Sequence, residues 1–178
     1  MAFSVVNLSP TGEATELEAG DIVFDLTEFK LPARCCKLVS VSMFNFGVDG
    51  SGDPLAFEGT NLQKYEMIFF QSNEGGSLAS GGLCTAENLS SAKALLNKPI
   101  AFLKLTAQAR GLFNNFNVLA NNIPEKTDDA FPMSEVILTP DFSTSSHKMY
   151  VALRADTLNT NYTPSGASDF SLHLGFEY

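Results

Sequence analysis

Apolar and polar residues alternate with a period of two in short segments along this chain. Clusters of Gly, Pro, Asn and Asp bound each segment, which is the pattern of half-buried β-strands in an all-β fold. The C-terminal stretch DFSLHLGFEY shows it best: Phe170, Leu172, Leu174, Phe176 and Tyr178 alternate with Ser171, His173, Gly175 and Glu177. A strand with one wholly apolar face must set that face on a core, so this segment is expected to be tied into a sheet. Segments 3–8, 21–27, 35–46, 64–72, 100–107, 134–139 and 147–155 read the same way, which makes eight predicted strands with 170–178.

Some of these segments are apolar on both sides. In KYEMIFFQS, Tyr65, Met67 and Phe69 stand opposite Ile68 and Phe70, so the strand is expected at the centre of a sheet whose outer face is covered or meets a partner. One cover is local. Thr85 suits a helix N-cap, and Glu87 falls in the first turn. Leu89, Ala92, Leu95 and Leu96 fall near one face, Lys98 near the end, and Pro99 is the stop, so the spacing predicts a short helix over 86–97. Long connections at 49–63, 73–84, 108–133 and 156–168 join the strands. Eight short strands with long loops fit a jelly-roll or Greek-key sandwich better than a meander. The stretch GLFNNFNVLANN at 111–122 is too polar for a core strand and too apolar for a free loop. It predicts a partner contact, with Leu112, Phe113, Phe116 and Leu119 as anchors and Asn114, Asn115 and Asn117 able to pair with a neighbour's main chain.

At 178 residues the chain fits one antiparallel β-sandwich domain, 1–178, with the acidic region 1–30 as either an arm or a strand pair. Charged residues are only 17%, Phe numbers 15 and Trp is absent, a composition that favours buried contact surface over a bare solvated monomer. The net charge of −9 leaves no basic surface for generic phosphate binding, so no direct nucleic-acid partner is expected. The first residues have no basic run, and Ser4 and Asn7 break their apolar stretch, so no signal peptide and synthesis in a cytoplasm are expected. On that expectation the sequons at Asn7, Asn88 and Asn161 are chance matches. Apolar runs such as MIFF at 67–70 are far shorter than the ~20 residues of a spanning helix, so no membrane partner is expected.

Residues able to carry chemistry are few and scattered. Cys35, Cys36 and Cys84 match no metal spacing; they read as free thiols, with a Cys84 bridge to Cys35 or Cys36 as the alternative. His147 and His173 sit in no metal-ligand spacing, and no nucleophile elbow accompanies them. Asp49 and Asp53 in GVDGSGDP lack the twelfth-position Glu of a calcium loop, residue 60 being Thr. Asp128 and Asp129 read as a solvated turn, and the glycines at 75–76 and 81–82 form no phosphate loop. A sugar platform would have to rest on Tyr65, Tyr150, Tyr162 and Tyr178. The expectation is a protein with no catalytic residues, no metal and no cofactor, working through its surfaces.

Eight strand-like segments, Gly/Ser/Asn-rich loops and an unprocessed start resemble small virion proteins, most of all the capsid decoration or cement proteins of tailed phages, and more broadly jelly-roll shell proteins. The resemblance implies a bacteriophage virion protein on the outer capsid surface. Its partners would be the major capsid protein or other virion subunits, and its own oligomer a trimer. Charge refines the placement: residues 1–29 hold no Lys or Arg but carry Glu13, Glu16, Glu18, Asp21, Asp25 and Glu28, which disfavours the genome side. A receptor- or glycan-binding module and a small jelly-roll capsid protein are the alternative readings.

Overall fold

The computed structural model describes residues 1–12, 19–45, 47–48, 64–78, 95–106, 117–122, 136–143, 146–157, 163–164 and 170–178. Among them the strands are β1 (Phe3–Leu8), β2 (Ile22–Lys30), β3 (Cys36–Asn45), β4 (Gly47–Val48), β5 (Lys64–Phe70) and β6 (Pro99–Thr106). They continue with β7 (Asn117–Asn122), β8 (Val136–Leu138), β9 (Lys148–Thr157), β10 (Thr163–Pro164) and β11 (Phe170–Glu177). The protein is all-β, and each of the eight predicted segments contains a strand.

Two antiparallel sheets form the body. The first runs β1-β11-β3-β7, with β8 pairing β3 beyond the end of β7, and the second runs β2-β9-β5-β6; β4 and β10 make a separate two-residue pair. The order has a simple rule. β1 pairs with β11, β2 with β9, β3 with β7 and β5 with β6, so strands counted from the start pair with strands counted back from the end. The chain is thus one long hairpin, doubled back between β5 and β6 and wound around a core, which is the jelly-roll form of the β-sandwich. Region 1–30 supplies β1 to the first sheet and β2 to the second.

The core lies between the sheets because the alternating apolar faces meet there. Leu38, Val41 and Met43 of β3 and Leu172, Leu174 and Phe176 of β11 pack with Tyr65, Met67 and Phe69 of β5 and Met149, Val151 and Leu153 of β9. Phe29 of β2 links the layers, stacked on Phe176 at 6.2 Å and edge-on to Phe69 at 6.3 Å between ring centroids. Two register shifts in β2 against β9 each give β2 an extra residue, and consecutive residues Val23 and Phe24 both join this core.

The two-faced strand β5 is central, as its pattern predicts. Its outer residues Ile68 and Phe70 form a second buried cluster with Ile22, Leu78, Tyr150 and Ala152. Leu78 belongs to a turn segment that hydrogen bonds hold over the sheet. Asp25 Oδ1 accepts from the Leu78 N–H at 3.0 Å. The fully buried Asn97 accepts from the Gly75 N–H at 2.7 Å and donates to the Gly76 carbonyl at 3.0 Å. Of the predicted helix 86–97, Leu95 and Leu96 are helical and the rest, apart from the turn at Asn97, lies outside the described residues. Both leucines are exposed, so in them the apolar stripe is not a cover; of the three described residues it is the polar Asn97 that is buried. Lys98 then takes a positive φ of 54° and its N–H bonds the Leu95 carbonyl at 3.0 Å, a left-handed C-terminal turn directly ahead of Pro99.

Candidate interaction surfaces

Phe24, Tyr65, Phe69, Phe70 and Phe176 are among the largest fully buried side chains. The faces, ends and edges of the described sheets are where polar and apolar groups are left open to contact.

The predicted contact segment is described only in part. Asn117 and Leu119 lie on β7, at the edge of the first sheet, opposite Asn45 and Met43 of β3. Leu112, Phe113, Asn114, Asn115 and Phe116 lie outside the described residues, as do Cys84, Asp49, Asp53, Asp128, Asp129, Gly81, Gly82 and Tyr162. The segment 111–122 is expected to be too polar for a core strand; its described part, 117–122, is a strand that pairs with Ser40–Asn45 of β3.

Cys35 is exposed and Cys36 buried, both as free thiols, and burial pushes the Cys36 thiol above its ordinary value. His173 shares the outer face of the first sheet with Ser171, whose hydroxyl lies 3.0 Å from His173 Nε2, while His147 uses its carbonyl to accept the Leu31 N–H at 2.8 Å. Tyr65 and Tyr150 are core residues and Tyr178 is 44% exposed, so the described tyrosines do not share an open platform. Among the described residues no three His, Cys, Asp or Glu side chains stand together as a metal-binding group, and no helix is long and apolar enough to cross a membrane.

Two ion pairs lie on the outer face of the second sheet. Glu28 of β2 pairs with Lys148 of β9 at 3.0 Å and lies 3.5 Å from the Tyr150 hydroxyl; Glu66 of β5 stands 3.6 Å from Arg154 of β9. The Glu28 carboxylate holds the Lys148 ammonium above its ordinary value, while burial first and Glu28 second raise the Tyr150 phenol. At one end of the sandwich Lys98 pairs with Asp141, and the Ser143 N–H donates to Asp141 Oδ1 at 2.9 Å, which together hold that carboxyl well below the usual carboxylate range. Gln71 reinforces the same end by donating to the Thr139 carbonyl at 2.8 Å.

The four sheet edges differ. β2 carries two register shifts and the charges Asp25, Glu28 and Lys30; β6 opens on Pro99, pairs β5 with one register shift, and bears Lys104. Bulges, prolines and charges are the usual means of blunting an edge against foreign strands. β1 and β7 carry no ionisable side chain, and both pair in unbroken register with their inner neighbours. On β1 the side chains of Phe3 and Val5 are exposed by 63% and 48%. The alternation in FSVVNL and the absence of charge before Glu13 were the signals for this edge, obscured by the acidic residues that follow.

No family model, curated protein or solved structure matches the chain.

Proposed function

We propose that this protein is a non-catalytic structural protein of a virus particle, bound to the outer surface of a capsid, which it stabilises by joining neighbouring subunits. The observation that carries the reading is a wound-hairpin jelly roll whose two sheets close on a shared apolar core and present faces and an uncharged edge to the outside. Jelly rolls serve many roles, and fold alone does not select one. The net charge of −9 and the absence of Lys and Arg from residues 1–29 support a position away from the genome. The partners are then the major capsid protein and further copies of the chain. No bond is made or broken: a protein that binds the assembled lattice and not its separated subunits shifts the equilibrium toward the lattice by mass action.

The test is addition of the purified protein to particles that lack it. The expected result is saturable binding and a higher particle disruption temperature. Failure to bind, or binding without that rise, sinks the decoration role. The second reading is a subunit that builds the shell. Closed particles formed by the protein expressed alone, seen by electron microscopy, would select that reading instead.

A further inference from the structure

We infer that β1 is the edge through which two copies of this chain join, in antiparallel register across a twofold axis at Val5. This goes beyond the particle reading and does not depend on it.

The direction of the backbone groups follows from the end of the strand. Ala2 and Tyr178 exchange both main-chain hydrogen bonds, Ala2 N to Tyr178 O at 2.8 Å and Tyr178 N to Ala2 O at 3.1 Å. Bonded and non-bonded pairs alternate along an antiparallel ladder, and β1 stays in unbroken register with β11 from Phe3↔Glu177 to Leu8↔Leu172. Ser4, Val6 and Leu8 therefore aim their N–H and C=O at β11. Phe3, Val5 and Asn7 aim theirs away from the sheet. These same three residues carry the exposed side chains of β1, while Val6 and Leu8 pack on the core. An incoming strand thus meets a straight row of donors and acceptors that no described strand pairs with, beneath the exposed Phe3 and Val5, the arrangement used when a strand is added to a sheet edge.

The occupant follows from charge and symmetry. A molecule of net charge −9 repels its own copies, most strongly where acidic side chains meet, yet residues 1–12 hold no ionisable side chain. The alternation of outward- and inward-facing residues is symmetric about Val5. With Val5 on the axis, Phe3 faces Asn7 of the partner copy and Val5 faces Val5. Every outward-pointing residue of β1 then gains a partner, and the first sheets of two copies become continuous through β1. Such a contact is isologous and closed, so it makes a dimer and not a filament. β7 is uncharged as well; on β1 an uncharged edge, unbroken pairing and the exposed Phe3 and Val5 occur together.

The test uses the full chain at about 10–100 µM, a range that suits a contact of one strand pair. Val5→Pro removes an outward N–H and none of the bonds to β11; Val5→Lys places a charge on the axis. Native mass measurement and sedimentation should show a dimer for the wild type. For both variants association should be roughly tenfold weaker or worse, with melting temperatures close to the wild-type value. In a background with Cys35 and Cys84 replaced by Ser, Val5→Cys should oxidise to a covalent dimer. Cα atoms of a bonded antiparallel pair lie about 5.5 Å apart, within disulfide reach. A wild type that stays monomeric, a dimer or trimer that survives Val5→Lys, or a Val5→Cys chain that does not cross-link would each overturn the inference. If Val5→Pro unfolds, Val5→Lys decides alone.

Discussion

At Gly175 a Cβ would stand 2.2 Å from the Ser40 hydroxyl oxygen and 3.2 Å from Cζ of Phe3, so the absence of a side chain is what lets β3, β11 and the Phe3 ring come together. Gly175→Ala should destabilise by about 1–3 kcal/mol, because Ser40 must turn away or the strands must part. Adding Ser40→Ala removes the closest clash, so the double variant should recover most of the loss; additive effects in denaturant melts would mean that the strain lies elsewhere. Asp141 gives a second test at this scale. Its carboxyl is held below the ordinary 3.8 by Lys98 first and Ser143 second. A carboxylate favoured by the fold contributes stability above its unfolded value and loses it as pH falls through the folded value. The stability difference between wild type and Asp141→Asn should therefore be constant above about pH 5 and shrink below about pH 4. A difference that does not change between pH 7 and pH 2 would show that the Lys98 contact is not electrostatic.

Among the elements, β11 sits between β1 and β3, and Leu172, Leu174 and Phe176 have no exposed surface, whereas Tyr178 is 44% exposed. Leu174→Ala should cost about 2–5 kcal/mol and Tyr178→Ser within roughly 1 kcal/mol, measured by urea unfolding; equal costs would refute the central placement. Deleting residues 170–178 should abolish the cooperative transition, since β1 loses the strand it pairs with and β3 loses its neighbour on one side. Strands such as β11 and β5 were legible because burial imposes a two-residue period on the sequence. β7 was not: Asn disfavours strands, and the segment becomes one only because Ser40–Asn45 of β3 leave backbone groups that need partners. Tertiary demand of that kind leaves no local mark. The exposed Leu95 and Leu96 make the complementary point, since the helical spacing of leucines records a possible face and not what lies against it. The strand at β1 was written plainly in FSVVNL, but period two identifies a strand without telling whether it is central or at an edge.

On the scale of the whole molecule, the wound hairpin makes the most distant parts of the chain its nearest neighbours: Phe3 pairs with Glu177, and Ala2 and Tyr178 are hydrogen-bonded through their main chains. Pairing across so long a loop carries its closure entropy before any contact rewards it, so folding is expected on the millisecond-to-second scale typical of non-local β topologies. The same closure makes the first sheet insensitive to where the covalent chain is cut, provided β1 and β11 stay joined. A circular permutant that links residue 178 to residue 1 through a short Gly/Ser segment and opens between the exposed Arg34 and Cys35 tests this. The new break severs only the connection from β2 to β3, and the described main-chain pairing of both sheets survives it. Linking β11 to β1 turns the longest-range pairing into a local one, so the permutant should refold faster than the parent in stopped-flow experiments while keeping a single cooperative melt. If it folds no faster, β1–β11 pairing forms after the rate-limiting step; if it does not fold, the β2–β3 connection is part of the core rather than a tether.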